Sequence, residues 1–356
     1  MTVPDPVDGL RPGMRAVVRR RIDHSGEGSG QGSGGSGKGS GQGSGQGSGQ
    51  GVTDALGDLL AIDADTISVR TRKGVEVIAR ADVVAAKEVP PRPERRGAPH
   101  LAVSMHDLER VMVEGWPPLE RTNLGGWLLR AGGGFTGRAN SVLPVGDPGM
   151  SLTDAIDHCE SWYDARGLRR LFALFGPVGF GIDEDPLGRE LLARSYEPFN
   201  STVVLTAATR KLPSEGSHPI GAQVQLESAP SPQWRAAWAA QDGTSDLESA
   251  RPEVWSVMTG SADQLFASVV AADGTVMGIA RFAFGAGWAG VSALWVAPEH
   301  RRRGIAMQLM GALADESRSR GIRSVYLQVL KASQPALGLY ERLGFSPHHE
   351  YRYLGR

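Results

Sequence analysis

A chain of 356 residues with 38 basic and 39 acidic side chains has a formal charge of −1, so no global field draws it to nucleic acid or to a membrane surface. Charge is also spread evenly, at +2 over residues 1–99, −4 over 100–219 and +1 over 220–356, which excludes a dedicated basic module. The one cysteine, Cys159, rules out an intramolecular disulfide and fits a reducing compartment.

The N-terminus "MTVPDPVDGL" has neither a basic nor an apolar targeting region, and no stretch approaches the length of a membrane span. A cytoplasmic protein is expected. Strand-like pieces "MRAVVRR", "DLLAID", "TISVRT" and "GVEVIA" fall in the first ninety residues, the last two separated by Arg72-Lys73-Gly74 as in a hairpin. They suggest a small SH3-like β-barrel over 1–90, interrupted at 25–51 by a Gly-Ser-Gly-Gln tract with nothing apolar to bury, expected to be a disordered loop. Arg19-Arg20-Arg21 reads as a solvated strand face.

The tract "EVPPRPERRGAP" (88–99) reads as a linker, and Ser104 with Asp107 resembles a capping box opening a helix towards Glu114. Strands "GGWLLRA" and "ANSVLPV" follow, then a helix over 151–166, the strand "RLFALF", a helix near 187–194 and the strand "TVVLTA". Cys159 sits in the apolar pattern of the first helix and reads as a small core residue. The glycine clusters "GGGFTGR" (132–138) and "GPVGFG" (176–181) lack the Lys-Ser/Thr of a phosphate loop or are followed by carboxylates, and read as turns.

The last region contains "VSALWVAP", a helix whose apolar face carries Ile305, Leu309, Met310 and Leu313, the strand "SVYLQV" and the helix "PALGLYERLG". A strand, a turn, Gly304 and a helix start form the geometry that cradles phosphate on backbone N–H groups, and Arg301 and Arg303 add charge to neutralise it. None of the eight histidines has metal-ligand spacing, and His348-His349 reads as an exposed tail.

"LWVAPEHRRRGIA", "VYLQV" and "SQPALGLYERLGF", in that order, resemble the GNAT N-acetyltransferase superfamily, strongly over 220–356 and more weakly before it. The resemblance implies acetyl-CoA as cosubstrate and no metal. It places the pyrophosphate on the amides of Arg303, Gly304, Ile305 and Ala306 beside Arg301. It places the pantetheine arm between two splayed strands, where a bulge leaves backbone groups near Trp295 and Val296 free. It further implies an oxyanion-type role for the Val296 N–H and a general-acid role for Tyr340. Ser333 stands where the motif usually has asparagine. The base is not identified: Glu299 reads as a helix cap, and Asp242 and Glu248 are weak candidates.

Residues 143–198 also lie over 294–347, with Gly146-Asp147-Pro148-Gly149 at the phosphate turn and Leu191 where Tyr340 stands. The expected fold is therefore mixed α/β: a barrel over 1–90, a degenerate GNAT-like domain over 100–210 and a catalytic one over 220–356. The expected partners are acetyl-CoA and a primary amine, either a small molecule or a lysine of a basic, histone-like protein. A homodimer stays open, whereas a membrane or a specific nucleic acid is not expected. The layout is similar to an actinobacterial group with an SH3-like N-terminal barrel. The competing reading is an acyl-CoA sensor or scaffold without turnover.

Overall fold

The computed structural model describes residues 5–22, 51–71, 74–89, 99–217, 222–241 and 252–356. The Gly/Ser tract up to residue 50, the turn residues Arg72 and Lys73, most of the expected linker, and Asp242 and Glu248 lie outside the described residues. The chain divides into two compact units, Met1–Val89 and Pro90–Arg356.

The first unit is an antiparallel sheet of β1 (Arg15–Ile22), β2 (Gly51–Ile62), β3 (Thr66–Thr71), β4 (Gly74–Ala79) and β5 (Val83–Glu88), in the order β4-β3-β2-β1-β5. Alternation puts Ala16, Val18, Leu59, Ile67, Val69 and Ile78 on one buried face. Gly57 is needed where β2 and β3 approach, because a Cβ there would meet the Arg70 carbonyl oxygen at 2.1 Å. Arg19 pairs with Asp54 at 2.8 Å and Arg20 with Glu76 at 3.0 Å, so two of the three arginines in this run are held by ion pairs within the sheet.

The second unit is built around an eight-stranded sheet. In its first half, Ser104 caps α1 (Met105–Gly115) by accepting from the Asp107 N–H at 3.0 Å, as the capping box predicts. The hairpin β6 (Glu120–Leu124) and β7 (Trp127–Ala131) follows, then α2 (Leu152–Asp164), β8 (Leu171–Gly176), α3 (Pro186–Ala193) and β9 (Glu197–Ala208). The second half contributes β10 (Gln223–Glu227), α4 (Pro232–Gln241), α5 (Pro252–Met258), β11 (Gln264–Val270), β12 (Val276–Gly285) and β13 (Trp288–Val296). It ends with α6 (Ile305–Ser319), β14 (Ser324–Leu330), α7 (Gln334–Arg342) and β15 (Ser346–Gly355). "ANSVLPV" forms no full strand: Val142 bridges to Phe172 and Leu143 to Leu128, and Pro144 then supplies no ladder donor.

The strand order is β10-β11-β12-β13-β14-β9-β15-β8. The final strand of each half therefore lies in the other half's territory: β9 pairs antiparallel with β14, and β15 with β8. Opposite faces are covered by different helices. Val325, Leu327 and Val329 of β14 share a core with Ile305, Leu309 and Leu313 of α6. Tyr326 shares one with Leu108, Met112 and Val113 of α1.

The two halves repeat each other down to their helix ends. After α6 the Ile322 N–H donates to the Ser317 carbonyl at 2.8 Å, and after α2 the Leu168 N–H donates to that of Tyr163 at 3.1 Å. Gly321 (φ 70°) and Gly167 (φ 60°) take the left-handed position of these turns. After α7 the Phe345 N–H donates to the Tyr340 carbonyl at 3.0 Å, and after α3 the Tyr196 N–H donates to that of Leu191 at 3.0 Å. Leu191 is thus in register with Tyr340. Cys159 is fully buried, and burial pushes its thiol up to about 12.

Candidate active site

β13 and β14 run parallel but pair only from Trp288–Ser324 to Val291–Leu327, so beyond Val291 they separate into a V. The separation begins at a bulge: the register of β13 on β12 shifts between Ile279 and Arg281, and Ala293 adopts φ 51°. Ser292 to Val296 are half-buried and have no strand on their β14 side, which leaves main-chain donors and acceptors open to a ligand there. Trp295 and Val296 lie on this arm. The Val296 carbonyl accepts from the Arg301 Nε at 3.2 Å, which folds the first arginine of the turn back over the mouth of the V.

The turn itself is built for an anion. Gly304 sits at the N-cap of α6 with φ 86° and ψ 0°, and no side chain caps the helix. The amides of Ile305 and Ala306 therefore keep the outward orientation of a first helical turn, at the positive end of the helix dipole. Arg301, Arg302 and Arg303 are exposed, and among the described residues none of the three is paired with a carboxylate. The first turn carries no acidic side chain. Glu299, expected to cap the helix, is instead in the short turn Pro298–His300, because the cap position is Gly304 itself. The absence of a Cβ at the turn, the open amides and guanidinium groups that no carboxylate holds fit a phosphorylated cosubstrate.

The corresponding turn in the first half is closed. Ser151 caps α2 by accepting from the Asp154 N–H at 3.2 Å, and Asp147 accepts from the Gly149 N–H at 2.6 Å. The groups that would receive an anion are already occupied, and the carboxylates repel one.

Tyr340 is on α7, 7% exposed, in the same core as Leu327 and Val329, with Val296 packed against it. Its ring meets Phe345 edge-on at 5.7 Å. Burial pushes its hydroxyl up to about 12, so the group holds its proton at neutral pH. Among the described residues that hydroxyl has no protein hydrogen-bond partner. Ser333 is the N-cap of α7, its side chain makes no capping bond, and its N–H donates to the Leu330 carbonyl at 2.9 Å. Tyr340 and Val296 thus belong to one core on the α6 face of the sheet, and the anion turn follows the β13 arm in the chain.

The histidine pair needs correction. His349 is fully buried and His348 partly so, because β15 is an interior strand between β9 and β8 and not a tail. His349 Nε2 lies 2.9 Å from Glu109 Oε1, a contact between residues 240 positions apart that no sequence motif announces.

Residues 103–354 match the family model described as probable histone acetyltransferase Rv0428c C-terminal. The probable histone acetyltransferase Rv0428c of Mycobacterium tuberculosis is 30% identical over 312 residues, covering 85% of this chain and 89% of that one. An uncharacterized N-acetyltransferase of Bacillus subtilis, YobR, is 28% identical over 247 residues, 69% of this chain and 96% of its own. A GCN5-related N-acetyltransferase from Kribbella flavida shares the fold with a TM-score of 0.51 at 17% identity, over 70% of this chain and 94% of that one. A tandem GNAT protein from the clavulanic acid pathway does so with a TM-score of 0.50 at 13% identity, over 75% and 90%.

Proposed function

The chain belongs to the Rv0428c-type C-terminal acetyltransferase family of the GNAT superfamily, and from that premise we propose that it transfers acetyl from acetyl-CoA to a primary amine, a lysine of a basic protein. The observation that carries the reading is the pairing of an uncapped, arginine-flanked helix start with two parallel strands that part beside a buried tyrosine. In this reading the amides of Arg303, Gly304, Ile305 and Ala306 hold the pyrophosphate, with the Arg301 and Arg303 side chains as countercharges. The free edge near Trp295 and Val296 pairs with the amide groups of the pantetheine arm, and Ser333 borders the same groove. The Val296 N–H polarises the carbonyl to be attacked. Tyr340, protonated at neutral pH, gives its proton to the departing sulfur.

The protein-lysine acceptor takes its support from the name of the mycobacterial relative. No helix of the described residues is long and apolar enough to cross a membrane, and no His/Cys/Asp/Glu group among them is arranged to hold a metal. The test is release of CoA thiol from acetyl-CoA by the purified full chain, with histone-like basic proteins, poly-L-lysine and small amines compared side by side. Turnover with the polymers and basic proteins supports the lysine reading. Turnover only with small amines replaces it with a small-molecule acceptor. Binding of acetyl-CoA with no amine-dependent release favours a sensor.

A further inference from the structure

Along β14, the side chain after Leu327 turns to the other face of the sheet, the face covered by α1. That residue is Gln328, the first beyond the last paired position of the V. Its side-chain oxygen accepts from the Tyr351 hydroxyl at 2.8 Å. Here a cavity of about 10 Å³, room for one water, has Glu109, Arg130, Arg138, Gln328, Tyr351 and Tyr353 as the polar part of its lining. Arg138 stacks over Trp116 at 4.3 Å and is in no ion pair among the described residues. It sits on the turn 132–138, fixed by Asn140, whose side chain accepts from the N–H groups of Gly132 and Gly134 and donates to the carbonyls of Phe135 and Thr136. Five of these six polar side chains are supplied by α1, β7, this turn and β15, outside the anion turn and the strands of the V.

Behind the cavity runs a chain of contacts: Glu109 Oε1 to His349 Nε2 at 2.9 Å, His349 Nδ1 to His348 Nδ1 at 2.8 Å, and His348 Nε2 to the Val103 carbonyl at 3.0 Å. The carboxylate and the carbonyl at the two ends only accept. Each end of the chain therefore faces an imidazole nitrogen that can donate to it. Burial, with His349 and His100 nearby, pushes His348 down to about 4, so His348 is the neutral ring. Its Nε2–H donates to the Val103 carbonyl, and His349 Nε2 faces Glu109, which holds the carboxylate in place. The other groups facing Glu109 are Arg130 from β7, Arg138 from the turn, Tyr326 from β14, and Tyr351 and Tyr353 from β15. Glu350 alternates to the opposite face, where Lys331 holds it at 2.8 Å.

We propose that Glu109 is the missing base: its carboxylate, positioned by His349, takes a proton from the acceptor amine in the cavity at the α1 side of the V. This rests on the acetyl-transfer reading. The ammonium group of the acceptor loses one proton to Glu109, its nitrogen bonds to the thioester carbonyl carbon, and the carbon–sulfur bond breaks. Sulfur takes the Tyr340 proton, the second nitrogen proton restores the tyrosine through solvent, and one proton is released per turnover. The half of the molecule that has lost its anion turn thus supplies the proton acceptor for the other half.

The experiment compares wild type, Glu109→Gln and Glu109→Asp in CoA release from acetyl-CoA with poly-L-lysine, across pH, alongside calorimetric binding of acetyl-CoA and thermal melting. Glutamine retains the hydrogen bond from His349 but takes no proton. The expected result is a turnover number lower by about 10²-fold, acetyl-CoA affinity unchanged within about twofold, and loss of the acid limb seen in wild type. Aspartate should recover part of the rate and the limb. A glutamine variant with wild-type turnover and an unchanged acid limb overturns the assignment. So does equal loss in both variants together with weakened acetyl-CoA binding and a lowered melting temperature, which marks a structural role. Failure of the acetyl-transfer reading shows itself separately, as wild type that binds acetyl-CoA and releases no CoA.

Discussion

Gly304, with φ 86°, takes a conformation that costs an L-residue roughly 1–2 kcal/mol, and its missing side chain leaves the approach to the α6 amides clear. Gly304→Glu places bulk and a negative charge there. The expected outcome is an acetyl-CoA affinity too weak to measure by calorimetry, with a cooperative melt retained and lowered only modestly. Unchanged affinity would contradict the anion role of the turn. Tyr340→Phe removes one hydroxyl and keeps the ring against Phe345, so stability should change by about 1 kcal/mol or less. Turnover should fall by roughly 10²- to 10⁴-fold while acetyl-CoA binding holds. Full activity in the phenylalanine variant removes the tyrosine from the mechanism. The pH dependence has a definite sign. Burial raises the folded pKa of Tyr340 to about 12 from 10. Its contribution to stability is whole below the unfolded value of 10 and falls as pH rises towards 12. A spectroscopic tyrosine titration should accordingly show this group ionising late or only with unfolding.

Between elements, the contrast of the two turns is a chemical one. α2 begins with a side chain that satisfies its own helix end, whereas α6 begins with none. Ser151→Ala should cost about 1 kcal/mol in chemical denaturation, the usual worth of such a cap, and leave acetyl-CoA binding unchanged. A loss of binding would give the first turn a role its geometry does not support. These elements were legible because their signals are local. A serine with an aspartate three residues on marks α1. A glycine after arginines marks α6, and a proline followed by a spaced apolar face marks α7. The tyrosine register was legible too, since Leu191 and Tyr340 occupy matching positions before the same left-handed turn. What stayed hidden was non-local. The Glu109–His349 contact depends on which strands neighbour β15, and two adjacent histidines near a chain end give no hint of that. β10 to β12, α4 and α5 carry no chemistry-bearing motif, so nothing in the sequence ties them to the site.

Across the whole second unit, the exchange of β9 and β15 ties the halves into one sheet. Residues 222–356 alone would leave the inner edge of β14 bare and β15 without either strand neighbour, a row of open donors and acceptors that invites aggregation. Expressed separately, 222–356 and 99–217 should be insoluble or lack a cooperative melt, and co-expression should restore both. Two soluble, independently melting halves would contradict this. No local pattern announces the exchange, because either order of β9 and β15 buries the same apolar faces. The central claim, that the uncapped turn and the split strands form an acetyl-transfer site, is tested most directly by amine-dependent release of CoA thiol from acetyl-CoA by the purified full chain. Release should require an amine and be abolished by Gly304→Glu. Release that is indifferent to amine, or undiminished in that variant, would contradict it.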